Sequence, residues 1–318
     1  MSKSLILADV PLAEFLEELF EPDCRCGSWS LIKNSSEMDL KRVEGLYLYG
    51  HPIVDGPLMD CLPNLKVVSN FGVGIDHVDV KAAFERGIAV GNTPGAVEGA
   101  TADMTMALLL VTARNIVLGD SFARSNEFLH YDPSRFVGHE VHRSTLGIIG
   151  LGRIGTEVAR RAKGFDMKIL YYNRRRNAKI EEELEVEYAS LDELLHRAHF
   201  VTLNVPMTLK TRHMIGEREF RSMREDGILI NIARGGVVDH EALYKALKEK
   251  WIGGAAIDVT EPEPLARNHP LLSLKNLVIT PHLGSATFKT RKRMGEMAIA
   301  NIRAALKNLP LPFPVEPI

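Results

Sequence analysis

The run Ser144-Thr145-Leu146-Gly147-Ile148-Ile149, then Gly150-Leu151-Gly152-Arg153-Ile154-Gly155, then Thr156-Glu157-Val158-Ala159-Arg160-Arg161-Ala162 decides the fold. It reads as a buried strand, a glycine-rich turn and a helix, which is the context that gives G-x-G-x-x-G its meaning. The first glycine permits the tight turn, the second lets the backbone approach a pyrophosphate, and the third lets the helix pack on the strand. The helix N-terminus then offers N–H groups and the positive end of its dipole to the phosphates. A dinucleotide-binding α/β sheet is therefore expected from Thr145 onward.

The next strand, Met167-Lys168-Ile169-Leu170-Tyr171-Tyr172, indicates which dinucleotide. NAD-binding sheets place an Asp or Glu for the ribose hydroxyls near the end of this strand. Here the position is Asn173, followed by Arg174, Arg175 and Arg176. Three cations and no carboxylate suit a 2′-phosphate, so NADPH is expected in preference to NADH, with NADH possible.

Three further segments each read as a buried strand running into a loop. Arg234 ends Ile228-Leu229-Ile230-Asn231-Ile232-Ala233-Arg234-Gly235-Gly236, Glu263 lies in Asp258-Val259-Thr260-Glu261-Pro262-Glu263-Pro264, and His282 follows Val278-Ile279-Thr280-Pro281. Ligands of open α/β sheets sit beyond the carboxyl ends of the strands, where these three side chains can converge. A guanidinium grips a carboxylate through two parallel hydrogen bonds. An imidazole backed by a carboxylate keeps its proton closer to neutrality. The set suits reduction of a ketone that stands beside a carboxylate. Between Glu261 and Glu263, the latter, just before Pro264, is taken as the partner of His282. His51, His77 and His139 read as loop or packing residues, and Trp29 and Trp251 as packing.

Working outward, residues 5–8, 45–49, 66–69 and 88–90 read as strands, and residues 80–86 as a helix ended by Gly87. Leu12, Phe15, Leu16 and Leu19 recur at helical spacing. This is a small parallel α/β domain of its own. Residues 100–114 form a long helix, apolar nearly all round, which calls for burial in a domain or subunit interface. Ser190 and Glu193 give a capping-box pattern, residues 200–205 and 252–259 read as strands, and Asp239 caps a helix ending near Lys250. Residues 286–308 read as a last helix that returns to the first domain. The expected division is 1–98 with 286–318 as a substrate domain and 99–285 as the dinucleotide-binding domain. The fold class is α/β, two Rossmann-like or flavodoxin-like parallel-sheet domains with the active site in the cleft between them.

Composition sets outer limits. With 318 residues, 25% charged and 45% hydrophobic, the chain resembles an ordinary globular protein with room for two cores. A net charge of −2 implies no bulk attraction to nucleic acid or membrane. Cys24, Cys26 and Cys61 complete no metal-ligand cluster and read as free thiols of a reducing, cytoplasmic compartment. The apolar run at residues 107–111 is too short to span a bilayer, and no secretory signal or C-terminal address is visible. No metal, nucleic acid or membrane partner is expected.

Taken in order, these motifs, with Asn70-Phe71-Gly72-Val73-Gly74-Ile75-Asp76-His77-Val78-Asp79 and Thr280-Pro281-His282-Leu283-Gly284-Ser285-Ala286-Thr287, resemble the D-isomer-specific 2-hydroxyacid dehydrogenases. Within that family the chain is most similar to glyoxylate/hydroxypyruvate reductases and the related 2-ketogluconate reductases. The resemblance runs almost end to end and is weakest over the first 60 residues. It implies that His282 is the general acid, that Glu263 keeps it protonated, and that Arg234 binds the substrate carboxylate and polarises the carbonyl. It further implies that backbone N–H groups of Val73 and Gly74 hold the carboxylate, that Tyr49, Gly50 and His51 line the substrate pocket, and that Asp258 meets the nicotinamide carboxamide. Around the cofactor it places Arg153 and Ile154 of the Gly150, Gly152 and Gly155 loop at the pyrophosphate and Val205, Pro206 and Thr211 at the adenosine side; Ile232, Ala233, His282 and Gly284 complete the cofactor-binding set, with Asn173, Arg174 and Arg175 already read at the ribose. A homodimer is implied as well. Some of these reductases set a Trp of the neighbouring subunit over the substrate. Here Phe128-Leu129-His130-Tyr131-Asp132-Pro133 has no Trp, and Tyr131 takes the place, leaving room for a longer 2-keto acid. On the same fold, NAD(H)-sensing corepressors that bind peptides form the non-enzymatic alternative. The arginines and the lack of long disordered tails favour a metabolic enzyme.

Overall fold

The computed structural model describes residues 3–20, 24–34 and 40–317. Two compact units emerge, Met1–Val97 with Thr287–Ile318, and Glu98–Ala286.

The first unit holds five strands, β1 (Ser4–Ala8), β2 (Cys24–Ser28), β3 (Val43–Leu48), β4 (Val67–Asn70) and β5 (Ala89–Gly91), in the order β2-β1-β3-β4-β5. All pairings are parallel. Central strands of such a sheet are covered on both faces and so read as continuous apolar runs; β4 is buried at every position. One face is covered by the helix Phe288–Leu306, whose Ala298, Ile299 and Ile302 pack on Ile6, Tyr47 and Val67. The Ser69 hydroxyl donates to the Ala298 carbonyl at 2.7 Å, so even the buried polar residue of β4 is satisfied by that helix. The strand order reverses direction between β1 and β3, which makes their carboxyl ends the ligand crevice of this sheet.

In the second unit β6 (Thr145–Ile149), β7 (Lys168–Tyr172), β8 (Glu187–Tyr188), β9 (Phe200–Leu203), β10 (Ile228–Asn231), β11 (Gly254–Ile257) and β12 (Leu277–Ile279) lie in the order β12-β11-β10-β9-β6-β7-β8, again all parallel. This is a doubly wound sheet with its reversal between β6 and β9. The α/β class with two parallel-sheet domains, expected from the sequence, is the class observed.

Local signals place the helices well. Asp239 accepts from the N–H groups of Glu241 and Ala242 at the start of His240–Lys248, and Ser190 and Glu193 form the capping box of Leu191–Arg197. The strands end earlier than their apolar runs, because Asn204-Val205 and Asp258-Val259 already belong to the loops.

The apolar helix is observed as Glu98–Ala113. Its apolar faces are covered inside its own unit, by β10, β11 and the helix Arg153–Lys163, with Ala102, Leu108, Leu109 and Ala113 buried. On its outer side Asp103 and Ala107 are exposed, and Met104, Leu110 and Val111 are only partly buried. Further exposed apolar surface lies in the next segment. Helix Ile116–Ala123 buries no residue, and Leu129 (84% exposed), Tyr131 (80%) and Val137 (74%) follow it. Phe122 joins the two stretches by contacting Phe128 and Phe136 with ring centroids 5.4 Å apart. No single helix among the described residues is long and apolar enough to cross a membrane; Glu98–Ala113 and Ile116–Ala123 reach that length only as a pair bent by 62°.

Candidate active site

At the reversal point of the second unit, Gly150 adopts φ +100°, and a Cβ there would meet Asn204 backbone at 2.7 Å. Only glycine fits both the left-handed conformation and the close approach. A Cβ on Gly152 would meet nothing, so open space faces the turn. Gly155 packs directly on the Gly150 carbonyl, bringing the helix onto the strand. Gly152 caps Arg153–Lys163 without a side-chain acceptor, which leaves the first-turn N–H groups of Arg153 and Ile154 available to an anion. A dinucleotide pyrophosphate fits this cradle.

Asn173 is turned toward the same loop, accepting the Leu151 N–H at 2.7 Å. It ties the end of β7 to the glycine turn. Arg174 and Arg175 are exposed and make no hydrogen bond or ion pair among the described residues. Arg176 is withdrawn from the set of three, because it forks onto Glu181 (2.6 and 2.8 Å) and lies over the Tyr188 ring. Arg176, with the Tyr171 hydroxyl, holds the Glu181 carboxyl down to about 2. Burial, with Glu181 beside it, pushes Tyr171 up to about 12. Tyr171 also accepts the Asn177 N–H at 2.8 Å, so the loop of residues 173–177 is anchored at both ends with two arginines outward.

The Arg, Glu and His come from the loops after β10, β11 and β12, three neighbouring strands. Asn231, fully buried, accepts from the Ala233 N–H (3.0 Å) and donates to the Arg234 carbonyl (2.9 Å), shaping the loop that presents Arg234. Gly235 rests on the backbone of Thr260 and Glu261, where a side chain has no room. His282 Nδ1 lies 2.9 Å from Glu263 Oε1, with the two side chains 32% and 37% exposed. Glu261 is engaged elsewhere, with Arg212 at 2.9 Å, which separates it from Glu263.

Asp258 holds the His282 turn. Its carboxylate accepts from Thr280 Oγ1 (2.6 Å) and the N–H groups of Leu283 and Gly284 (2.7 Å each), and its carbonyl accepts the His282 N–H (2.8 Å). His282 itself sits at φ +57°, a conformation costly for a non-glycine residue unless its surroundings enforce it. Asp258 is 1% exposed. Its observed contacts are to this turn, a role that the expected contact with nicotinamide did not include.

Thr211 staples the loop after β9, donating to the Pro206 carbonyl (2.6 Å) and accepting from the Thr208 N–H (2.8 Å). Val205, before Pro206 at its base, stands beside Gly150. Ile232 and Gly284 are buried within 3.5 Å of each other, measured from a Cβ placed on Gly284.

In the first unit, the loop after β4 is built by Asn70, which donates to the carbonyls of Gly72 (3.1 Å) and Gly74 (2.8 Å), while Asn92 donates to that of Val73 (2.9 Å). With the carbonyls held, the N–H groups of Val73 and Gly74 have no acceptor among the described residues, as an anion-binding turn requires. At the reversal point, Asp9 accepts from the N–H groups of Tyr49 (2.6 Å) and Gly50 (2.8 Å). His51 and His77 touch edge to face at 5.1 Å. The sequence reading missed Asp9, Asn70 and Asn231; the available signal was a polar side chain at or just past the end of an apolar strand. No group of three or more His, Cys, Asp or Glu among the described residues is placed to hold a metal ion.

The family model for the D-isomer specific 2-hydroxyacid dehydrogenase, NAD binding domain, matches residues 106–284. A glyoxylate reductase of Thermococcus gammatolerans is 52% identical over 263 residues, 81% of this chain and 78% of that one. A glyoxylate reductase of Pyrococcus horikoshii is 44% identical over 308 residues, covering 95% and 92%. The crystal structure of an NADPH-dependent glyoxylate/hydroxypyruvate reductase from Sinorhizobium meliloti, in complex with NADP and malonate, superimposes with a TM-score of 0.89 at 31% identity, covering 99% and 97%. The chain belongs to the D-isomer-specific 2-hydroxyacid dehydrogenases. It is an NAD(P)-dependent oxidoreductase, similar within the family to glyoxylate reductases.

Proposed function

We propose that the protein reduces short 2-keto acids, glyoxylate to glycolate and hydroxypyruvate to (R)-glycerate, with NADPH preferred and NADH accepted. The observation that carries this reading is the His282–Glu263 pair at 2.9 Å, on strand ends neighbouring that of Arg234 and on the same sheet as the glycine cradle. Bound nicotinamide would supply the hydride to C2 of the keto acid. Arg234 grips the substrate carboxylate and draws charge from the ketone. The carbonyl oxygen takes its proton from His282 Nε2, while Glu263 holds Nδ1 at 2.9 Å and orients the ring. Asp258 sets the turn on which the imidazole rides. Val73 and Gly74 are assigned to the carboxylate and Tyr49 and Gly50 to the far end of the substrate. Arg174 and Arg175 are assigned to the 2′-phosphate, a reading supported by their freedom from other partners and by the NADP complex of the Sinorhizobium relative. The exposed apolar surface around Ile116, Leu129 and Val137 supports a homodimer in which Tyr131 reaches the neighbouring active site.

The test is catalytic efficiency on glyoxylate, hydroxypyruvate and 2-ketogluconate, side by side with NADPH, in wild type and His282→Ala. Wild type is expected to favour the first two, and His282→Ala to lose about 10²–10⁴-fold in turnover. A preference above about tenfold for 2-ketogluconate would make the protein a 2-ketogluconate reductase. Binding of NAD(H) with no turnover of any keto acid would point instead to a sensing role.

A further inference from the structure

Glu261 stands two residues before Glu263, and its carboxylate is fixed by a different part of the chain. Arg212 Nη1 donates to Glu261 Oε1 at 2.9 Å, and His213 Nε2 lies 3.8 Å from Oε2. The carboxylate lies against the Gly236 α-carbon, where a Cβ would come within 2.9 and 3.0 Å of its oxygens. Gly236 is in turn bonded to the same segment, its carbonyl accepting the His213 N–H at 2.8 Å. Three loops therefore meet at one carboxylate. They are the loop after β9 with Pro206, Thr211 and Arg212, the loop after β10 with Arg234, and the loop after β11 with Glu263.

We propose that Glu261, through Arg212, is a positioning residue that holds the Glu263 loop at the reach His282 requires. The inference rests on the reading of Glu263–His282 as the proton donor. Stability alone gives a weak reason for the ion pair, since its side chains are 47% and 41% exposed and such pairs contribute little. Geometry gives a stronger one. The Glu263 side chain is itself partly open to solvent, so its 2.9 Å approach to Nδ1 depends on where the loop of residues 259–264 is held. The groups around the junction are Arg212 and His213 from the first loop, Arg234 from the second, and His240 with Asp239 from the helix His240–Lys248. Burial, then the neighbouring His269, holds His240 below its ordinary value, which leaves it uncharged in the alkaline range.

The experiment compares the pH dependence of kcat, and KM for cofactor and substrate, in Glu261→Gln, Arg212→Met, the double variant and Arg212→Lys, with Glu263→Gln as reference. Glu261→Gln and Arg212→Met are expected to lower kcat by about three- to tenfold at the alkaline end and move that limb to lower pH. Cofactor KM should change by less than about twofold. The double variant should be no worse than either single one, and Arg212→Lys should restore most of the loss. An unmoved alkaline limb, a change confined to cofactor KM, or additive losses would overturn the proposal. If Glu263→Gln also leaves the limb unmoved, the proton-donor reading itself fails. If Glu263→Gln moves it and Glu261→Gln does not, only the positioning role is refuted.

Discussion

Replacing Asp258 by Asn changes one atom and tests how the His282 turn is held. The buried carboxylate accepts three hydrogen bonds, two at Oδ1 from Thr280 and Leu283 and one at Oδ2 from Gly284. An amide has a single oxygen. Its better orientation keeps the Oδ1 pair and points NH2 at the Gly284 N–H, so donor faces donor and a buried N–H loses its acceptor. That orphaned donor costs about 1–3 kcal/mol, and the two surviving bonds each lose roughly 0.5–1 kcal/mol with the negative charge. The sum is about 2–5 kcal/mol, which for a domain of this size lowers Tm by roughly 5–15 °C. The imidazole rides on the loosened turn, and a displacement of about 1 Å at a reacting group costs on the order of 10²-fold in rate. Differential scanning calorimetry with steady-state kcat and cofactor Kd measures all three quantities. The reasoning predicts a lower Tm, a lower kcat and a modest change in Kd. A raised cofactor Kd with Tm unchanged would refute it and show that Asp258 serves the nicotinamide rather than the turn.

Other perturbations give distinct outcomes. Glu263→Gln should leave substrate KM within about threefold and shift the alkaline limb of the pH–rate profile to lower pH, because the imidazolium loses its anionic neighbour; an unshifted limb counts against the pair. Arg174→Ala with Arg175→Ala should raise KM for NADPH about tenfold or more and KM for NADH little; equal effects would make them a solvated surface run. Wild type should sediment as a dimer at micromolar concentration, and Leu129→Asp with Val137→Asp as a monomer; a monomeric wild type removes any role for Tyr131 across an interface. His199 and His240 are held below their ordinary 6.5, chiefly by burial, with Arg224 adding to it at His199 and His269 at His240. Their neutral forms are favoured in the folded state, so this contribution to stability is intact above pH 6.5 and is lost as pH falls through the lower folded values. His199→Gln should flatten the decline in Tm between about pH 7 and 5, and an unchanged slope would show that other groups set it.

The glycine turn was legible in the sequence because two of its constraints are local, the positive φ of Gly150 and the packing of Gly155 on the Gly150 carbonyl, while the third is the approach of Asn204 from the end of β9. Glu263 and Glu261 were separable only by their place in a pattern; the structure gives the reason, since Arg212 takes one and His282 the other. What the sequence hid are pairings across loops. Arg176 looked like a third cation for the phosphate, but its partner Glu181 lies across the turn into the following helix, a spacing that helical rules do not flag. Asp9 was passed over because its partners are backbone groups of a distant segment, Tyr49 and Gly50, and Asn70 and Asn231 because theirs, though close in sequence, are backbone groups that leave no trace in residue type. Strand β2 went unread because Cys24-Arg25-Cys26-Gly27-Ser28 is short and hardly apolar; it is recruited by pairing with β1 at the sheet edge.

The helix Phe288–Leu306 that covers the first sheet is separated from it in the chain by the whole second unit. During synthesis, Ile6, Tyr47 and Val67 emerge early, and the surface that shields them emerges last. At typical elongation rates the interval is roughly 10–40 s, far longer than collapse of a small chain takes. Through that time the second unit, continuous in sequence, is free to fold, while the first waits with one face of a parallel sheet uncovered. The nascent protein is thus a natural client for whatever binds apolar surface on the ribosome, and its yield depends on how quickly translation runs through the stretch that separates the sheet from its own cover.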